Sequence, residues 1–83
     1  MNRDNLTNHE FRGMTTGKRV IVTGDNGKHV AVSYFGAKDS GKTVMEKQIF
    51  LNQMDRGDLE FKGVKSFVIV NNLRYVKILN INN

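Results

Sequence analysis

Residues 18 to 35 read KRVIVTGDNGKHVAVSYF, two runs rich in β-branched residues that meet at Gly24-Asp-Asn-Gly27. Val30, Val32 and Tyr34 alternate with Ala31, Ser33 and Phe35, the period-two pattern of a strand with one buried face. Asn and Gly both tolerate positive φ, so Asn26-Gly27 between two such runs predicts a tight primed turn. The stretch is therefore expected to form a β-hairpin, strands 18–24 and 28–35, with Asn26 and Gly27 central.

Further β-structure is expected downstream. Leu59-Glu-Phe-Lys62 alternates, and Lys65–Val70 and Arg74–Ile81 flank Asn71-Asn72-Leu73 as a second hairpin. Between them, Thr43–Met54 fits two descriptions. Met45, Ile49 and Met54 suit a helical stripe, whereas Met45, Ile49 and Leu51 on alternate positions suit a strand. Residues 1–17 are polar, with Leu6, Phe11 and Met14 the only apolar side chains after Met1. They read as an N-terminal arm, in which Asp4 is placed to cap a turn of helix through Leu6 and Glu10. Residues 18–83 read as a single small β-rich domain. Five or six short strands on short connections favour closure into a small antiparallel barrel, SH3-like or OB-like, because closure removes exposed edges. The alternative is an α+β domain with one helix near 43–54.

Composition narrows the function classes. The chain has 83 residues and no cysteine, which excludes a disulfide framework, a thiolate metal site and a cysteine nucleophile. Its longest wholly apolar run, Phe67–Val70, is far short of the roughly 20 residues of a membrane helix. The first residues lack an apolar signal core, so a cytoplasmic, non-membrane protein is expected. His9 and His29 are 20 positions apart without carboxylates at ligand spacing, and no metal is expected. Asp25, Asp39, Asp55 and Asp58 fall in turn-forming stretches, where turn chemistry accounts for them. No catalytic residue, no enzyme activity and no cofactor are expected.

Residues 36–43, GAKDSGKT, match the pattern Gly, four residues, Gly-Lys-Thr, and in this stretch the chain resembles P-loop nucleotidases. The resemblance implies Lys42 on terminal phosphates and Thr43 on magnesium. It covers eight residues and ends there. A P-loop follows a strand of a parallel sheet, but the strand before Gly36 is already paired in an antiparallel hairpin. The expected structure is a solvated turn through Gly36 and Gly41, whose Lys38 and Lys42 can still meet an anion on a backbone nest. Residues 62–69, KGVKSFVI, faintly resemble the RNA-stacking strand of RNA-recognition motifs and cold-shock domains. Val64 and Ser66 stand where stacking aromatics are wanted, which leaves Phe67 as a core residue.

The net charge of +5 favours polyanionic partners. The expected function is therefore a non-enzymatic binding protein, an accessory nucleic-acid-binding module. Its phosphate contacts would be Lys18, Arg19, Lys28, Lys38 and Lys42, with Tyr34 or Phe35 for stacking or as a protein hot spot. The second expectation is a small adaptor or inhibitor of a host protein, binding through a strand edge or aromatic patch. A short, cysteine-free, Asn- and Lys-rich chain also suits a phage or mobile-element origin.

Overall fold

The computed structural model describes residues 3–65, together with the strand paths of 67–70 and 74–77. The elements are β1 (His9–Gly13), β2 (Arg19–Asp25), β3 (His29–Phe35), β4 (Ser40–Glu46), α1 (Lys47–Asp55), β5 (Leu59–Val64), β6 (Phe67–Val70) and β7 (Arg74–Lys77). The first five strands form one antiparallel sheet in the order β4-β3-β2-β1-β5. The mainly β architecture with one helix is thus as expected. The sheet curls without closing, because β4 and β5 remain at its two edges. Helix α1 connects those edges and packs on β3, β4 and β5. No helix among the described residues is long and apolar enough to cross a membrane.

Two bulges supply the curl. Val22 faces Val32 but Gly24 faces Ala31, so Thr23 is an extra residue on β2, and its hydroxyl donates to the Ala31 carbonyl. On β5, Phe61 faces Phe11 and Gly63 faces Glu10, leaving Lys62 as the extra residue. Gly63 has φ +119°, a conformation open to glycine and strained for other residues. Each bulge sharpens the local twist and bends its strand.

The first hairpin forms as expected, with its turn one residue further along. The Asn26 N–H donates to the His29 carbonyl, so Gly27 and Lys28 are central. Only Gly27 has positive φ (+94°), the pattern of a type II′ turn. Asn26 keeps negative φ and acts through its side chain, whose Oδ1 accepts the N–H groups of Lys28 and His29. The second hairpin also forms, with Phe67–Val70 against Arg74–Lys77. The inward or outward placement expected for side chains beyond residue 65 lies outside the described residues.

The N-terminal stretch is where expectation and structure differ most. Residues 9–13 are strand β1, between β2 and β5 in the body of the sheet, and Leu6 and Phe11 are fully buried. No helix starts at Asp4; the Leu6 N–H is taken instead by the Asp25 carboxylate. The arm is therefore part of the core. The alternation in β1 is regular, with His9, Phe11 and Gly13 inward, but only one of those three is an apolar side chain.

Residues 43–54 divide between the two descriptions. Strand β4 runs to Glu46 and the helix starts at Lys47. The buried stripe of α1 is Lys47, Phe50, Leu51 and Met54, at i, i+3, i+4 and i+7, whereas Ile49 is 47% exposed. Phe50 meets Phe11 edge to face, with ring centroids 5.2 Å apart. Around this contact Leu6, Val22, Val30 and Val32 complete the core, with Val20, Met45, Leu51, Met54 and Leu59 packed against it.

The charged member of the stripe is held by a buried ion pair. Lys47 Nζ lies 2.8 Å from Asp25 Oδ2 and also donates to the Asp4 carbonyl at 3.0 Å. The Asp25 side chain is 1% exposed. Its Oδ2 accepts from Leu6 N and its Oδ1 from Gly27 N, both at 2.8 Å. Burial by itself would raise the Asp25 pKa. The Lys47 ammonium and the two backbone donors outweigh it and hold the carboxyl below its ordinary value.

Two outcomes follow from these contacts. Gly27→Val places a β-branched residue at positive φ in open space, so its penalty is conformational, about 1–3 kcal/mol, read as a lowered denaturation midpoint. The depressed pKa of Asp25 makes its contribution complete above the unfolded value of about 4. That contribution is lost as pH falls through the lower folded value. Asp25→Asn should therefore flatten the acid limb of a stability-versus-pH curve, and an unchanged limb would contradict the assignment.

Candidate functional site

One end of the curled sheet gathers three connections: the β1–β2 loop (14–18), the β3–β4 turn (36–39) and the α1–β5 turn (56–58). The loop is tied at both sides. Gly13 N donates to Lys18 O, Gly17 N to Gly13 O, and Met14 N to the Asp58 carbonyl, each at 2.8 Å. Between the β1–β2 loop and the α1–β5 turn opens a cavity of about 340 Å³. Val20, Val32, Met45, Phe50 and Leu59 form its apolar floor, and Thr15, Thr16, Thr43, Gln53 and Asp58 supply polar groups around them. That size and composition, an apolar floor with a few polar groups, is what small-ligand and side-chain pockets share.

Tyr34 and Lys18 make the lip on the sheet side. Tyr34 follows Val30 and Val32 on the inward face of β3 and stands opposite Gly41 of β4. A Cβ on Gly41 would come within 2.6 Å of the Tyr34 hydroxyl, so the missing side chain is the space that the ring occupies. Lys18 Nζ lies 4.8 Å from the centre of that ring and 3.0 Å from Asp39 Oδ2. The ammonium thus bridges an aromatic face and a carboxylate at the edge of the cavity. Across the mouth, Arg56 donates twice to Asp58 Oδ2 (3.1 and 2.8 Å), an exposed pair of little energetic weight.

The GAKDSGKT stretch has a different role from its P-loop resemblance. Gly36 N donates to the Asp39 carbonyl at 2.6 Å, closing a tight β3–β4 turn, and Ser40, Gly41, Lys42 and Thr43 lie on strand β4. In a P-loop the Gly-Lys-Thr segment opens a helix; in this chain it is extended and paired residue by residue with β3. No residue of the turn has positive φ, so it lacks the alternating-hand backbone of an anion nest. Gly41 serves Tyr34 packing rather than the turn.

The expected contact residues divide into three groups. Lys18 and Tyr34 are at the mouth, with Lys38 on the adjacent turn. Arg19, Phe35 and Lys42 occupy alternate positions and face the other side of the sheet. There Arg19 lies 5.8 Å from the Phe35 ring centre and pairs with Glu10 at 3.0 Å. Lys28 is on the β2–β3 turn, at the far end of the seven-residue β3, roughly 20 Å away at 3.3 Å per residue. Its neighbours there include Arg3, Glu46 and Gln48, around a second opening of about 600 Å³. Thr15, Thr16 and Gln53 were not singled out by sequence, and Thr43 and Asp58 were read only in other roles, because the five come from four separate segments of the chain. Phe67 lies outside the described side chains.

His29 is exposed beside the hairpin turn, as expected. His9 is buried at the other edge of the core, its ring 5.4 Å from that of Phe61, with Nδ1 3.3 Å from the Thr7 carbonyl. Among the described residues no three His, Asp or Glu side chains converge to hold a metal ion. Comparison of the chain with known protein families, curated proteins and solved structures found no match to any of them.

The contact between Gly41 and Tyr34 can be measured directly. Gly41→Ala should lower stability by about 1–3 kcal/mol, the usual penalty for overpacking. In a Tyr34→Ala background the same change should have little effect, in denaturant unfolding of all four proteins. Equal penalties in both backgrounds would show that the ring does not fill the space above Gly41.

Proposed function

We propose that this protein is a non-enzymatic binding module that holds single-stranded nucleic acid across the cavity mouth, acting in the cytoplasm. The observation that supports it is the Lys18 ammonium set against the Tyr34 ring beside an apolar-floored cavity. An unstacked base has an apolar face and polar edges. The cavity offers a floor for the face, and Thr43, Gln53 and Asp58 for the edges. Lys18 and Lys38 stand where a backbone passing over the mouth would carry phosphates, and the net charge of +5 steers such a strand inward. Among the described residues, the two charged groups lining the cavity are both engaged, Lys18 by Asp39 and Asp58 by Arg56, an arrangement suited to recognition rather than proton transfer.

The second reading is a small adaptor or inhibitor of a host protein, favoured by the same apolar floor, which would also accept an aliphatic or aromatic side chain of a protein partner. Salt dependence separates the two. For the two phosphate contacts of Lys18 and Lys38 on a single strand, log affinity should fall with log salt at a slope of about −1.4. Lys18→Ala and Lys38→Ala should each reduce the magnitude of that slope by somewhat less than one, with little dependence on base sequence. Tyr34→Ala should weaken binding by about 1–3 kcal/mol through loss of stacking. Fluorescence anisotropy with labelled single-stranded and duplex oligonucleotides at two salt concentrations measures all three. Absence of binding at low salt would overturn the nucleic-acid reading.

A further inference from the structure

Strand β4 is an edge strand of unusual regularity. All seven of its residues pair with β3 without a register shift, from Phe35 opposite Ser40 to His29 opposite Glu46. Its other side carries no partner strand among the described residues. Hydrogen-bonded pairs alternate along an antiparallel ladder. The bonds Gly36 N to Asp39 O and Lys47 N to Lys28 O fix their phase from both ends. Gly41, Thr43 and Met45 therefore direct their backbone groups to β3. The N–H and C=O groups of Lys42, Val44 and Glu46 point to the open edge. Val44, in the middle, is 67% exposed, the most exposed large hydrophobic among the described residues. Neither Lys42 nor Glu46 has an ion-pair partner among the described residues.

We propose that this edge pairs with the β4 edge of a second copy of the chain, antiparallel and centred on Val44. Two-fold registers that place outward-facing backbone groups opposite one another differ in the side chains they bring together. Centring on Lys42 sets two ammonium groups face to face, and centring on Thr43 puts Lys42 against Val44. Centring on Val44 puts Val44 against Val44 and Lys42 of each chain against Glu46 of the other, so the strand Lys-Thr-Val-Met-Glu is complementary to itself. The interface is isologous, closed by one two-fold axis, and joins the two sheets into one. The other sheet edge does not compete, because the Lys62 bulge and the positive φ of Gly63 break the flat ladder that pairing needs. The dimer leaves both cavity mouths on the inward faces of the joined sheet, so it is independent of what those mouths hold.

Sedimentation velocity on the full chain between about 1 μM and 1 mM, the range in which small interfaces associate, tests the pairing. The wild type should form a concentration-dependent dimer. Lys42→Glu and Glu46→Lys should each raise the dissociation constant at least about tenfold, since each sets like charges opposite one another twice. The double variant should recover the dimer, and a mixture of the two single variants should form a heterodimer. Val44→Pro removes an outward N–H and leaves the β3–β4 ladder whole, so it should give a folded monomer, with folding checked by circular dichroism. A wild type that stays monomeric throughout, or a dimer indifferent to Lys42→Glu and Val44→Pro, would overturn the proposal.

Discussion

The buried pair between Asp25 and Lys47 is the contact through which the rest of the structure is joined. Its carboxylate closes the end of the first hairpin through the Gly27 N–H and receives the N-terminal stretch through the Leu6 N–H. Its ammonium starts the helix and takes the Asp4 carbonyl. Helix α1 has little of its own to hold it. It is nine residues long, lacks a side-chain N-cap, and has no acidic residue in its first turn and no basic residue in its last. Isolated helices of that length are unstable in water, so α1 depends on the packing of Phe50 against Phe11 and on the anchoring of Lys47. Position of the helix in turn sets the cavity, because Phe50 and Gln53 form one wall. The pair thus links the charge at one end of the sheet to the shape of the pocket at the other.

Much of the fold was legible in the sequence where hydropathy and side-chain direction agree. Strand β3 alternates between Val30, Val32 and Tyr34 on one side and Ala31, Ser33 and Phe35 on the other, and it is read without difficulty. The turn at Gly27 follows from its tolerance of positive φ, although Asn26 uses its side chain instead of its backbone. Strand β1 was hidden because its inward positions are His9, Phe11 and Gly13: one histidine stacked on aromatics, one phenylalanine, and one glycine. A pattern search sees a single apolar residue in five. Helix α1 was blurred for the converse reason, since a lysine occupies the inward stripe and Ile49 faces solvent. The clue to Lys47 was Asp25, twenty-two positions earlier, and only the tertiary fold brings the two together.

The same limits apply to the candidate site. Tyr34 faces inward and Phe35 outward, as the alternation of β3 predicts, but which cation stands beside each ring depends on the pairing of β3 with the start of β2. The length of β3 then separates Lys28 from Lys38. The cavity itself is built from loops and strands that sequence distance does not connect, and its size follows from the curl imposed at Thr23 and Lys62. The most motif-like segment, GAKDSGKT, divides into a tight turn and an edge strand, with Gly41 making room for an aromatic ring. Spacing alone does not distinguish that use of glycine from a phosphate loop.

The dependence of the fold on the Asp25–Lys47 pair is tested most directly by a double-mutant cycle in denaturant unfolding. Asp25→Leu and Lys47→Met each leave an unpaired charge in a buried position, and each should destabilise by about 3–5 kcal/mol. The double variant replaces both charges with apolar side chains and should be less destabilised than the sum of the two, by a coupling of at least about 2 kcal/mol. If the two changes simply add, or if either single variant unfolds at the wild-type midpoint, the pair does not hold the three segments together.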